Sequence, residues 1–586
     1  MLLDQDFATR NTSLGQIYDN LGFPRLGLLA ASRALATAPA NPSAHRLLAD
    51  TVATLPRYDT LRASELFKAQ LLERPSSAPI MPRLAYSDLN VLSAANGYIP
   101  GFNEYSALFQ QQGASAIVTG LAGTQSTFGG EASAGAQQGP FSISVGTLQA
   151  TTDGFRRNGD IENSLYNVIA KAAITPEFQL YGELRRREYQ QGDIALDFDL
   201  DSYDGDQRRD FKQTTGIVGF VYRPTTATTL LATASASKFR DKFNDDDVLP
   251  PGAPTTDLRG HFTDQGYQLE TQVIHSTGYL DLLAGGAFYD VDVRQRARSL
   301  SEDDFGERFG SGYVYGYAQP FQGTDVVLGL SVERFSSDGD SYTKVSPKFG
   351  ITQQLAHGLT LRAARGRSIR RALLVETTLE PTEIAGFLQV YDDFNGQVSD
   401  RYSAGLDWRA TEELRFGIEA STREIESIGT TPDGGDENLD ESDVAAYGYW
   451  ILSDDLTLSF QPQFDRFTSD DTGTYPNRVD TWLAPLELRY FAPSGVFAFA
   501  RGTYLVQDLD RGTDSSPDRF EHGVNFLVDA GIGYRFPFGR GAAVLAVTNL
   551  LDEDLQYRDD NYRTNQDRAT RFAPERMILA SVNLQF

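Results

Sequence analysis

Asp193, Asp197, Asp199, Asp201, Asp204 and Asp206 crowd one short stretch of this chain, and their Asp-x-Asp-x-Asp spacing offers several hard oxygen donors close together. Hard oxygens are what calcium takes, so Asp197, Asp199 and Asp201 are the candidate metal ligands. The pattern departs from a calcium loop, which needs a glycine at its sixth position and a closing glutamate. A solvated acidic loop is the plainer reading; on the calcium reading these carboxylates recruit divalent cations at the surface. A second group is cationic: Arg185 and Arg187 share a polar face with Glu183, and Arg362 lies on the polar face of its own segment. Such arginines either balance charge inside a polar lumen or, as a ladder, favour anionic solutes. Five histidines and no cysteine leave little for zinc or thiol chemistry. His275, His357 and His522 fall near expected strand ends as lone residues, so no catalytic constellation forms and an enzyme is not expected.

The elements that must carry these residues are strands. In Met577-Ile578-Leu579-Ala580-Ser581-Val582-Asn583-Leu584-Gln585-Phe586, the apolar Ile578, Ala580, Val582, Leu584 and Phe586 share one face, with Ser581, Asn583 and Gln585 on the other. Leu456, Leu458, Phe460 and Phe464 likewise oppose Thr457, Ser459, Gln461, Gln463 and Asp465, and Phe178, Leu180 and Leu184 oppose Gln179, Tyr181, Glu183 and Arg185. A ribbon greasy on one side and polar on the other, repeated from about residue 114 to the last residue, predicts a transmembrane antiparallel β-barrel of about 22 strands. Tight connections are expected at Thr175-Pro176-Glu177, Ser276-Thr277-Gly278, Phe321-Gln322-Gly323, His357-Gly358, Ser453-Asp454-Asp455, Ala492-Pro493-Ser494-Gly495 and Pro537-Phe538-Gly539. Long acidic loops are expected near 190–209, 240–259, 296–308, 371–396, 426–440, 510–520 and 550–574.

Composition agrees. No run of 18 or more apolar residues exists to make a membrane helix, and a barrel hides its lipid face in alternate residues, so a mean hydropathy of −0.35 permits insertion. The 36 Phe and 27 Tyr suit interfacial girdles, and a net charge of −27 argues against nucleic acid. Met1-Leu2-Leu3-Asp4-Gln5-Asp6 lacks a basic region and an apolar core, so the numbering is expected to start after processing or inside a longer precursor.

The front differs from the rest. Residues 1–83 form an expected helical region on the periplasmic side, with Leu14, Gly15, Tyr18, Gly27, Ala34 and Pro39 at tetratricopeptide spacing and Leu48-Ala49 restarting the phase. Gly27 is placed where helices would cross; a plain helical hairpin capping the barrel is the alternative. Residues 84–113 are a linker or reduced plug, and 114–586 the barrel.

Several motifs resemble the TonB-dependent receptor family. Lys344-Val345-Ser346-Pro347-Lys348-Phe349-Gly350, a turn at His357-Gly358 and Leu359-Thr360-Leu361-Arg362-Ala363-Ala364 are similar to its paired strands. Arg401-Tyr402-Ser403-Ala404-Gly405-Leu406 and Val547-Thr548-Asn549-Leu550-Leu551-Asp552, then Pro574-Glu575-Arg576, resemble later ones. Leu551, Leu555 and Ala372 depart from the pattern, and no plug or TonB-binding box is recognisable in residues 1–113. In domain order, helical repeats before a barrel are similar to the outer-membrane exporter of poly-N-acetylglucosamine. The resemblance implies a bacterial outer-membrane location, contact with membrane lipid and lipopolysaccharide, and delivery by the barrel-assembly machinery with Phe586 as candidate assembly signal. The functional expectation is a transport barrel conducting or gating a solute or polymer, with the helical region docking a periplasmic protein. A nutrient-importing receptor with its plug reduced or supplied elsewhere, and a non-conducting anchor for a periplasmic scaffold, are the alternatives.

Overall fold

The computed structural model describes residues 13–81 and 113–586, apart from residues 16, 19, 54 and 202 and the segments 246–257, 298–302, 338–339, 372–374, 428–436, 471–474, 512–519 and 565–569. The expected linker at 84–113 therefore lies, but for its last residue, outside the described residues, as does Ala372.

Twenty-two antiparallel strands close into one barrel, each paired with its neighbours in sequence. The seam joins Gly113–Gly123 to Met577–Gln585, with Val118 opposite Leu584 and Gly120 opposite Val582. Phe586 extends that seam: its N–H donates to the Ala116 carbonyl at 2.9 Å, and its carbonyl accepts from the Ala116 N–H at 3.1 Å. One strand is split into Leu456–Phe460 and Gln463–Ser469 around Pro462, which has no N–H for the ladder; both pieces keep the same two neighbours.

The alternation read from the sequence is the inside–outside pattern of the wall. Leu184, Val218, Leu269, Ile578 and Val582 are exposed on the lipid face, while Gln179, Glu183, Glu270, Ser581 and Asn583 are buried on the inner one. The seven expected tight connections all fall between strands, at what we call the turn end. At the loop end the strands run farther than expected: Thr228–Asp245 and Asp303–Phe321 reach into the segments assigned to loops at 240–259 and 296–308. There the outward residues change from apolar to charged while the backbone ladder continues, and hydropathy follows only the former.

Among the described residues three helices with full bounds precede the barrel, α1 (Pro24–Thr37), α2 (Pro42–Thr51) and α3 (Asp59–Leu72), and helical residues at 13–15 and 17–18 come before them. Pro sits in the first turn of α1 and α2, where its missing N–H costs nothing, and the Asn41 side chain caps α2 by accepting from the N–H groups of Ser43 and Ala44. Gly27 of α1 sits close to its neighbours: a Cβ there would fall 2.8 Å from the Thr51 methyl and 3.4 Å from the Gly15 carbonyl.

Candidate functional site

The helices do not stand clear of the barrel. Arg25 pairs with Glu419 on the inner wall, and Phe23 stacks on Tyr449 with ring centroids 4.5 Å apart. Across the barrel, Gln179 Nε2 donates to the carbonyls of Leu71 at 2.9 Å and Glu73 at 2.7 Å, and Arg223 donates to that of Leu72 at 2.8 Å. The sequence places this region as a periplasmic module, whereas α1–α3 pack among inward-facing side chains from opposite sides of the wall. The physical reason is their composition: α3 buries Arg62, Glu65 and Lys68 as well as its leucines, so it needs a polar lining rather than water or lipid.

A loop from the other end meets them. Residues 370–371 and 375–397 fold inward, with a two-residue ribbon pairing Glu383–Ile384 with Phe387–Leu388. Glu270 on the wall accepts from the Leu379 N–H at 2.5 Å, Gln272 donates to the Leu379 carbonyl at 2.6 Å, and Lys348 donates to Glu380 at 2.8 Å. Against the helices, Ser32 Oγ donates to Glu383 at 2.8 Å, Thr382 Oγ1 to Glu65 at 2.5 Å, and Ser64 Oγ accepts from the Thr378 N–H at 3.0 Å. Burial pushes the Glu383 carboxyl up, while the Glu65 carboxyl, also pushed up by burial, is overruled by Lys68 and His45 and held at about 2.

Helix and loop converge on one ion cluster. Arg57, between α2 and α3, reaches Asp393 of the inserted loop at 3.1 Å and Glu441 of the wall at 2.6 Å. Arg423 binds the same two carboxylates at 2.8 and 2.9 Å, and Arg563, from the loop at 549–576, lies 3.6 Å from Glu441. All five side chains are buried.

Beside the helices a chamber of about 380 Å³ runs along the wall between residues 445 and 577. Register sorts its inner face into rows. Leu483 and Leu505 lie opposite one another, Thr503 opposite Leu527, and below them Glu487, Arg501 and Asp529 form one cross-strand row. Arg489 and Arg501 both bind Glu487, the latter at 2.5 Å, and Asp529 accepts from the Asn549 N–H at 3.0 Å. Nearer the turn end, Phe497 and Phe499 lie over Gly533 and Gly531, whose absent Cβ atoms would fall 2.2 and 2.3 Å from the rings. Three loops roof the chamber with Phe155, Ile194, Tyr557 and Phe572. Asp197–Phe198 pairs with Tyr557–Arg558, and the Asp559 carboxylate accepts from the Leu196 N–H at 2.9 Å. Burial pushes the Asp559 carboxyl up to about 7.

The candidate residues divide accordingly. Asp197 accepts from Arg511 at 2.5 and 2.8 Å and faces Arg558 at 3.5 Å, so guanidinium groups hold it. Asp199 accepts from the Asp201 N–H, and among the described residues no three acidic, His or Cys side chains gather as a metal site. Arg185 binds Glu183 at 2.6 Å, Arg187 packs on the rings of Tyr189 and Phe211, and Arg362 binds Asp407 at 2.6 Å and Glu419 at 3.2 Å. Arg362 thus sits in the wall against α1, away from the other two. His275 bonds Thr228, His522 pairs with Asp508, and His357 occupies a turn at φ 61°. The inner-wall leucines of the chamber, Glu487, Arg489, Arg501 and the inserted loop were missed. The only sequence signal for them is apolar residues at inward positions, as at Leu483 and Leu527.

The fold matches solved outer-membrane barrels. It is similar to the copper transporter OprC (12% identity, 82% of this chain and 81% of that one, TM-score 0.62). The FrpB iron transporter from Neisseria meningitidis is comparable (11%, 81% and 82%, 0.62), as is the ferripyoverdine receptor of the outer membrane of Pseudomonas aeruginosa (12%, 81% and 72%, 0.60). No family model and no curated protein matches the sequence. At this identity the likeness is one of architecture: a closed antiparallel barrel of 22 strands, as in these outer-membrane proteins.

Proposed function

We propose that the chain is a gated outer-membrane transporter of a small organic solute, its lumen closed by its own helices and inserted loop. One observation carries the reading: α1–α3 from the turn end and the inserted loop from the loop end are hydrogen-bonded to each other across the lumen, leaving the chamber against the wall. A lumen this wide would otherwise leak. Beside these hydrogen bonds the loop packs apolar side chains on the helices, Leu379 and Phe387 sharing a buried cluster with Phe67 and Leu71, and Leu388 one with Leu26 and Leu28, so the insert moves only if both kinds of contact part; water can replace the polar ones. The chamber joins an apolar upper part at Leu483, Leu527 and Phe572 to a charged lower row, a lining that fits an organic molecule with an apolar and a polar end. The neighbours' names, copper and iron transporter among them, support transport as the class of activity. In this reading the turn-end face of the helices is what a periplasmic partner engages.

The test is single-channel conductance in a planar bilayer. The full chain is expected to be silent and a chain lacking residues 1–81 to carry steady current. In case that deletion misassembles, Ser32→Cys with Glu383→Cys, joined by a reversible thiol cross-linker, gives a second reading in a chain that otherwise has no cysteine. Solute uptake should stop on cross-linking and return on release. Silence from the deleted chain together with unaltered uptake in the cross-linked one would favour an anchoring barrel instead.

A further inference from the structure

The outer wall carries a feature separate from the chamber. Along the strand Thr228–Asp245, outward positions change from Ala234 and Ala236 to Lys238, Arg240 and Lys242, and all three cations are exposed. Their neighbours add to them. Lys212 stands directly opposite Arg240, Thr214 opposite Lys238, and Arg186 opposite Thr214 one strand farther on.

Like charges directly opposite on antiparallel strands repel, and Lys212 with Arg240 is such a pair. The nearby acids offset only part of this: Glu188 lies 2.6 Å from Arg186, and Asp210 lies 3.6 Å from Lys212. Lys238, Arg240 and Lys242 have no ion-pair partner among the described residues. Five cations against two carboxylates is a strong local excess on a chain whose net charge is −27.

Position gives the patch its meaning. The lowest apolar outward row on these strands holds Tyr222 and Leu230, just above the polar Thr228–His275 row, and Lys238 lies eight residues farther along. At a rise of about 3.3 Å per residue and a tilt of about 40°, Lys238 stands about 20 Å above that row and Arg240 about 25 Å, which is the height of a barrel's apolar band. Tyr166 shares the row of Arg186, and Tyr267 lies opposite Ala236 just below; both rings face outward, as interfacial aromatics do. Flexible stems let lysine and arginine heads reach up to the headgroup layer from such positions.

We propose that Arg186, Lys212, Lys238, Arg240 and Lys242 form a docking surface for the phosphorylated headgroup of lipopolysaccharide, the glycolipid facing the loop end. Its phosphates supply counter-charge to Lys238, Arg240 and Lys242, since Glu188 and Asp210, which stand opposite Lys212 and Lys242, are engaged by Arg186 and Lys212, and its acyl chains lie along Val218, Ala234 and Leu269.

The full chain in neutral detergent would be incubated with bisphosphorylated lipid A, dephosphorylated lipid A or phosphatidylglycerol, and retained lipid read by native mass spectrometry. Bisphosphorylated lipid A is expected to be retained, and K238Q/R240Q/K242Q to weaken it about a hundredfold. Arg334→Gln, another outward position, should leave retention unchanged. Heat-modifiable gel mobility reports whether each variant is folded, and R240Q alone serves if the triple variant is not. Undiminished retention by the folded variant, or equal retention of the dephosphorylated lipid or phosphatidylglycerol, would overturn the proposal.

Discussion

Asp392 caps a helix that begins at Asp59: its Oδ1 accepts from the Thr60 N–H at 3.0 Å and its Oδ2 from the Asp59 N–H at 2.7 Å. Tyr58, at the N-cap position of α3, supplies no side-chain bond of its own, so the inserted loop provides what the local sequence omits. The helix dipole adds to the attraction for a carboxylate at that end. Asp392→Ala is expected to destabilise the first turn of α3 by about 1–2 kcal/mol and leave the barrel intact. Hydrogen exchange should then quicken at residues 59–64 and at 370–397 together. Faster exchange at only one of the two would show that loop and helix are not coupled through this cap.

The cluster of Arg57, Asp393, Arg423, Glu441 and Arg563 joins helix, inserted loop, wall and roof loop. Removing one member of a buried ion cluster leaves the others uncompensated, at a cost of about 3 kcal/mol. Arg57→Ala should therefore loosen the helical insert more than any exposed change. Limited proteolysis from the turn end, with the barrel itself still resistant, is the readout. If Arg57→Ala and Glu441→Gln each expose the helices and their combination exposes them no further, the pair acts as one unit.

The barrel was legible because alternation is a strong local signal: Ile578, Ala580 and Val582 announce their face without any knowledge of partners. The location of α1–α3 was not, because a helix that buries Arg62, Glu65 and Lys68 looks solvent-exposed until the polar wall that receives it is known. The inserted loop was read as acidic and external for the same reason. Its Glu380, Glu383, Asp392 and Asp393 are partners for Lys348, Ser32, Thr60 and Arg57; the last three contacts span hundreds of residues, and none of the four leaves a trace in local spacing.

Glu65 makes the helix–loop contact acid-sensitive. Its carboxyl, pushed up by burial but held at about 2 by Lys68 and His45, is depressed below its ordinary value of 4.5. A depressed carboxyl stabilises the fold above its unfolded pKa and loses that contribution as pH falls through the folded one, here between about 4.5 and 2 and worth about 3 kcal/mol. Acidification through that window should free α3 from Thr382. Glu65→Gln should shrink the pH dependence of hydrogen exchange in α3; an unchanged pH profile would remove Glu65 as its source.

Asp559 predicts the opposite trend at the roof. Burial raises its carboxyl from 3.8 to about 7, so the folded roof prefers the protonated acid. Stability contributed there falls as pH rises from about 4 to 7, by about 4 kcal/mol. The ribbon of Asp197–Phe198 with Tyr557–Arg558 should exchange faster at pH 8 than at pH 5, and Asp559→Asn should hold it closed at both. A roof that tightens on alkalinisation would contradict the assignment.

Below the charged row that lines the chamber, two inner-wall rings over two glycines make a separate apolar floor, and this separates gating by the insert from gating by the wall. Gly531 and Gly533 leave room for Phe499 and Phe497, which lie between the row of Glu487, Arg501 and Asp529 and the turn end. Phe497→Ala with Phe499→Ala removes that floor at a cost of about 3–5 kcal/mol for each ring, which a barrel held by its full backbone ladder should survive. If the helices and loop are the main barrier, the double variant of the full chain stays silent in a bilayer, while the same change in a chain lacking residues 1–81 raises the current above that of the deletion alone. Current from the full-length double variant would instead make the chamber a complete path, closed by two aromatic rings, and would place the gate in the wall beside the helices.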